Sequence, residues 1–161
     1  MTGGPATATI THADFFAALF PDPDELIELR SLPSKARDFF TPCDSEGIER
    51  FIRENAGENL YFGVATRRTR DSGKLENCGL LQALFVDIDF KVTPEPEARG
   101  KLERFQLKPS IVVNSGGGLH TYWLLREPLD LQTEAVKGRS LLRRPVCIPQ
   151  PTWDLDPQLS V

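Results

Sequence analysis

The sequence predicts an α+β fold, and three stretches carry that prediction. Leu84-Phe85-Val86-Asp87-Ile88-Asp89-Phe90 alternates, as a strand with two distinct faces does. Ile48, Phe51 and Ile52 recur at i, i+3 and i+4, the spacing of one helix face. Residues 80–125 read as strand, helix, strand, tight turn and return strand, the order of a sheet crossed by one helix.

Bulk properties narrow the function classes. The chain has 161 residues, enough for one domain or two small lobes, and 40% are hydrophobic, enough for a core. Net charge is −4, unevenly spread: residues 1–60 hold 11 Asp/Glu against 5 Lys/Arg, and residues 61–161 hold 12 against 14. An acidic lobe therefore precedes a mildly basic one. That argues against a generic nucleic-acid coat and permits a local basic channel. Cys43, Cys78 and Cys147 are far apart, with no CxxC or HxxxH spacing, so zinc is not expected. Free thiols in a reducing cytoplasm are the simplest account of them. The N-terminus lacks the basic and apolar regions of a signal peptide, and no apolar run approaches the length of a membrane span.

Taken in order, residues 1–10 read as a flexible tail. Thr11 caps a short helix, with Asp14 three residues on; Phe15, Phe16, Leu19 and Phe20 line it, and Pro21 and Pro23 stop it. Leu26 to Leu29 reads as a short strand. Residues 31–44 read as a connection, with Phe39-Phe40 anchored in a core. Asp44 or Ser45 caps a second helix, which Asn55 and Gly57 end. Asn59 to Ala65 is a strand with Leu60, Phe62 and Val64 on one side. Thr66 to Lys74 is a loop with four basic residues and one acid, read either as a solvated connection or as a phosphate-contacting loop at the mouth of a site. Thr93-Pro94-Glu95 starts a helix whose buried face is Ala98, Leu102 and Phe105. Ser110 to Asn114 is a strand, Ser115 to Gly118 a turn, and Leu119 to Leu125 the return. Asp130 caps a further helix reaching Arg144. The remaining 17 residues hold four prolines and little periodicity.

Two constellations carry chemistry. On the alternating strand, Asp87 and Asp89 share a face, roughly 7 Å apart at the backbone. Like charges held that close call for a cation, most simply a divalent metal with oxygen ligands. The competing reading is an edge strand with a solvated polar face, which the low strand propensity of Asp disfavours. The second constellation is Ser115-Gly116-Gly117-Gly118-Leu119-His120. Its glycines let backbone N–H groups approach a phosphate; Ser115 adds a hydroxyl and His120 a directed donor. Alone, it would be a structural hairpin. Together the two supply what nucleotidyl transfer needs.

The strand Leu84 to Phe90, the helix after it, and Pro109-Ser110-Ile111-Val112-Val113-Asn114-Ser115-Gly116-Gly117-Gly118-Leu119-His120-Thr121-Tyr122-Trp123 resemble the archaeo-eukaryotic primase superfamily. Similarity is greatest to its plasmid and phage branch, the RepB-like primases and primase–polymerases. Asn59 to Val64 with Arg67, and Glu127 to Asp130, also resemble segments of that branch. The resemblance implies an N-terminal α/β module (11–78) packed on an RRM-like sheet (79–144), with 145–161 as an irregular tail. It implies that Asp87 and Asp89 ligate Mg²⁺ or Mn²⁺. It further implies that His120, with Ser115, Gly116 and Gly117, contacts a nucleoside triphosphate, and that Arg67 and Arg68 contact nucleic acid. Its implied partners are a single-stranded DNA template and a helicase domain or protein, with no membrane, in a cytoplasmic setting.

The tail departs from that family. The third carboxylate and a Pro-Gly-Thr segment are not recognisable, and Asp154 and Asp156 are weak stand-ins for the acid. The expectation is that the last elements are missing, through truncation or a frame change soon after Arg144. An inactive, truncated nucleic-acid-binding replication protein is the alternative function. An Asp-x-Asp glycosyltransferase is disfavoured, because the preceding residues show few βα units.

Overall fold

Helix α1 (His12–Leu19) begins on a capping box. The Thr11 hydroxyl accepts from Asp14 N at 3.1 Å, and Asp14 Oδ2 accepts from Thr11 N at 2.9 Å. Two otherwise orphaned amide donors are thereby satisfied. The structure is a computed structural model that describes residues 11–133 and the backbone of Val146–Cys147. The expected 1–10 tail, the helix to Arg144 and the acids Asp154 and Asp156 lie outside the described residues.

Two four-stranded sheets follow. The first has the order β2-β1-β3-β8, from β1 (Ile27–Leu32), β2 (Arg37–Phe40), β3 (Asn59–Phe62) and β8 (Val146–Cys147). Residues 31–44, expected as a connection, thus hold the end of one strand and a second whole strand. Phe39 and Phe40 are buried as expected. The expected irregular tail likewise holds a strand, β8. Helix α2 (Ser45–Glu54) lies between β2 and β3 in sequence; the Asp44 carboxylate caps it by accepting from Gly47 N at 2.9 Å. The Asn55 side chain ends it, donating to Phe51 O at 2.8 Å.

The second sheet has the order β4-β5-β7-β6, from β4 (Ala65–Arg67), β5 (Cys78–Asp89), β6 (Ile111–Asn114) and β7 (Gly118–Asp130). The strand expected over Asn59 to Ala65 is therefore two strands in two sheets. The chain crosses between them at Gly63-Val64, earlier in sequence than residue 78. Helix α3 (Glu95–Arg104) connects β5 to β6. Its cap is Pro94 rather than Thr93, with no side-chain bond, and Pro96 lies in its first turn.

The main core joins both sheets through aromatic rings. Phe62 of β3 meets Phe15 and Phe16 of α1 edge-on, at 5.6 and 5.4 Å between centroids, and lies 6.4 Å from Tyr122 of β7. A smaller cluster of Ala98, Val112 and Leu119 seats α3 on the other face of the second sheet. The expected burial of Leu84, Val86, Ile88 and Phe90 is half right. Ile88 and Phe90 pack beneath α3, but Leu84 is 42% and Val86 47% exposed, and Phe105 is exposed as well. A helix of ten residues is only about 15 Å long and covers one end of a twelve-residue strand.

Candidate active site

Strand register brings the expected residues together. Asp87 of β5 lies directly opposite His120 of β7, and Asp89 opposite Gly118. Asp87, Asp89 and His120 therefore share one face, the face on which Phe85 and Tyr122 enter the main core. His120 Nε2 is 3.6 Å from Asp87 Oδ1; the imidazole is 6% exposed and the carboxylate 63%. Burial pushes the His120 pKa below its ordinary value, and Asp87 only partly offsets this. The ring is thus neutral near pH 7. His120 Nδ1 is buried with no hydrogen-bond partner, so the Nε2–H tautomer, which faces the carboxylate, is favoured. Asp89 also shapes the turn towards α3. Its Oδ1 accepts from Lys91 N at 2.8 Å, and its carbonyl accepts from Val92 and Thr93.

The glycine turn is tight, as expected, but closed by its own hydrogen bonds. Ser115 N and Ser115 Oγ both donate to Gly118 O, at 2.9 and 3.1 Å, and Gly116 N donates to Asn114 Oδ1 at 2.9 Å. Ser115 and Gly116 therefore spend their donors inside the turn, and a phosphate would have to compete for them. Gly116 requires its lack of a side chain, having φ +81°. At Gly118 a Cβ would run into the Ile88 carbonyl, so glycine there lets β5 and β7 close up beside the Asp pair. Gly117 faces open space, and its carbonyl accepts from Phe90 N.

The basic loop is not at the mouth of this site. It joins β4 to the first residue of β5, while the Asp pair ends β5. At about 3.3 Å per residue the two are separated by roughly 30 Å of strand. Arg67, expected to reach nucleic acid, is instead 8% exposed and bonded to Glu28, itself 4% exposed. Its Nη2 and Nε donate to Glu28 Oε2 at 2.6 and 3.0 Å, and Nη1 donates to Ala65 O. Arg37 Nε approaches Glu28 Oε1 at 3.0 Å as an ion pair. Gly73 lies so close that a Cβ there would collide with the Glu28 carboxylate. Arg68 is exposed, but it lines a groove with the acids Asp22, Glu25 and Asp130.

Several residues that shape this region have no local sequence signal. Glu28 reads as the polar face of a strand and is buried only because the loop folds over it. Asn77 knots the loop, accepting from Thr69 N and Oγ1 and donating to Thr69 O and Ser72 O. Cys78 is buried, which raises its thiol pKa against the pull of Arg67, so it is a poor nucleophile.

The donor chemistry of the Asp pair suits a hard divalent cation, two carboxylates with water and phosphate oxygens completing the shell. Among the described residues, no three His, Cys, Asp or Glu side chains are grouped to hold a metal by themselves. No helix among them is long and apolar enough to cross a membrane.

No protein-family model matches the sequence, and no curated protein matches it. Among solved structures, the fold is similar to the AEP domain of the cyanophage S-2L primase-polymerase (PrimPol), with a TM-score of 0.51 and 16% sequence identity. The match covers 74% of this chain and 64% of that one, so the chain spans less than two thirds of the structure it resembles. At this identity the likeness is one of fold: a mixed α/β chain with antiparallel sheets, compatible with an AEP domain.

Proposed function

We propose that this chain is the catalytic domain of a DNA primase or primase–polymerase, joining nucleotides on a template during replication of a plasmid, phage or other mobile element. The observation that carries this reading is the Asp87–His120 opposition, with Asp89 beside it, on a sheet whose fold resembles a PrimPol AEP domain. In support, the order β5-α3-β6-β7, with β7 between β5 and β6, is what the first half of an RRM-like sheet would require.

In this reading Asp87 and Asp89 supply carboxylate oxygens to Mg²⁺ or Mn²⁺. Such a cation neutralises phosphate charge and eases deprotonation of the attacking hydroxyl. His120 would donate its Nε2–H, which lies 3.6 Å from Asp87 Oδ1 and is not spent in a hydrogen bond to it, to a phosphate oxygen of an incoming nucleoside triphosphate. Gly117, whose side of the turn is open, is the best placed of the turn residues to approach the same phosphates. Single-stranded DNA is the template partner.

The test is metal-dependent nucleotide incorporation on a primed single strand, wild type against Asp87→Asn. Incorporation by the wild type and its loss in the variant support the reading; incorporation at the wild-type rate by Asp87→Asn overturns it. The two-acid site among the described residues favours a second reading, an inactive replication protein that only binds nucleic acid. Strand binding without Mn²⁺-dependent incorporation by the wild type would select it.

A further inference from the structure

The first sheet has a face turned away from the core. Ile27 and Leu29 of β1, Phe40 of β2, and Leu60 and Phe62 of β3 point inward. The alternate positions point outward, and there Arg30 is directly paired with Arg37 on one neighbouring strand and with Tyr61 on the other. Strands lie about 4.8 Å apart, so two guanidiniums and a phenol ring form a row roughly 10 Å long across the sheet. Arg37 is exposed, and Arg30 and Tyr61 are half-buried.

Two like charges directly opposite on adjacent strands are destabilising. Glu28 relieves this only in part. Its carboxylate lies on the same face and is shared between Arg37 and the buried Arg67. Arg30 has no acidic partner among the described residues. The loop beside this face adds Arg70, whose Nη1 donates to Phe39 O on β2, and Asp71. With the Glu28–Arg67 pair buried, the cations at this face are Arg30, Arg37 and Arg70, with a half-buried aromatic ring in the row. Contrast the groove around Arg68, where three acids surround the cation.

We propose that this outer face, along the row Arg37–Arg30–Tyr61, binds single-stranded nucleic acid, the guanidiniums taking phosphates and the Tyr61 ring stacking on a base. Cations tracking a backbone beside an aromatic platform are the common chemistry of single-strand surfaces. A duplex, whose bases are already stacked, leaves the ring without a partner. The surface belongs to the first sheet and Asp87 to the second. It extends the reading above without depending on it, and its test uses neither metal nor nucleotide, so either can fail alone.

The experiment is fluorescence anisotropy of a labelled oligothymidylate titrated with the full chain at several salt concentrations. Tyr61→Ala is expected to weaken binding by about 5- to 150-fold, the range for losing one stacked base, while Tyr61→Phe keeps the ring and the affinity. Arg30→Gln is expected to weaken binding and to lower the salt slope by about 0.7, one phosphate contact. The same variant should melt no lower than wild type, since it removes the Arg30–Arg37 repulsion; this separates lost contact from lost fold. Lys101→Gln, which removes an exposed cation paired with Glu97 on α3, serves as the charge-matched control and should bind as wild type does. The proposal is overturned if Tyr61→Ala and Arg30→Gln bind with unchanged affinity and slope, if Lys101→Gln loses as much as Arg30→Gln, or if a duplex competes as well as the single strand.

Discussion

Glu28→Gln should be the most damaging single conservative change on the first sheet. Gln keeps the volume and the packing against Gly73, so the perturbation is the loss of one charge. The guanidinium of Arg67, 8% exposed, then keeps only neutral acceptors such as Ala65 O. Removing one partner of a buried pair costs about 3–5 kcal/mol, because the remaining charge is left uncompensated. In a domain of this size each kcal/mol moves Tm by about 2–4 °C, so the loss should be roughly 6–20 °C. Thermal melts followed by circular dichroism at neutral pH measure it, and added salt should change the difference little, since a buried pair is weakly screened. Replacing both partners, as Glu28→Met with Arg67→Met, should recover much of the loss. Glu28 is on β1 and Arg67 on β4, so the pair clasps one sheet to the other, assisted by the bond from Arg67 N to Leu26 O at 2.7 Å. A Tm within about 2 °C of wild type for Glu28→Gln would refute the clasp. So would Arg67→Gln that melts normally yet loses nucleic acid, because Arg67 would then be a surface contact.

Four further outcomes are expected. Asp87→Asn should abolish metal-dependent triphosphate binding, read by calorimetry, without lowering Tm, since the carboxylate is mostly exposed and its removal relieves repulsion from Asp89. Thr11→Ala should cost about 1 kcal/mol through the lost cap, seen as a small fall in denaturation midpoint. Its partner Asp14 has a carboxyl held below the ordinary 3.8 by the Thr11 backbone N–H and then the Thr11 hydroxyl. A depressed folded-state pKa gives stability that is present above 3.8 and lost as pH falls through the lower value. The Tm gap between wild type and Asp14→Asn should therefore be open near neutrality and close in strong acid. Gly118→Ala should cost about 1–3 kcal/mol, because the new Cβ meets the Ile88 carbonyl, which cannot rotate away, and β5 and β7 must part beside the Asp pair. An unchanged melting curve would show that the hairpin has slack there.

What the sequence revealed was what short-range order encodes. The capping residues Thr11 and Asp44, the α2 face, the alternation ending in Asp87 and Asp89, and the Ser115–Gly118 turn each lie within one helical turn or one hairpin. Period and turn chemistry suffice to find them. Nothing short-range sets His120 beside the Asp pair; the strand register that opposes Asp87 to it does so. Nothing local marks β2, whose four residues alternate poorly and lie between Pro33 and Pro42, so only pairing with β1 makes them a strand.

A basic run looks the same in sequence whether its cations face water, an anion or a buried carboxylate. Arg67 and Arg68 are neighbours, yet one is locked onto Glu28, 39 residues away, and the other stands among Asp22, Glu25 and Asp130. Arg30 sits in an unremarkable Leu-Arg-Ser stretch and gains its character only because the sheet lays Arg37 on one side of it and Tyr61 on the other. Whether a cation is a clasp, a bystander or a contact is decided by what the long-range pairings put opposite it. Charge counts along the chain therefore do not say which cations are free to meet a ligand. The Asp pair escaped that ambiguity because two acids on one strand face are set side by side by the backbone itself, whatever the rest of the fold does.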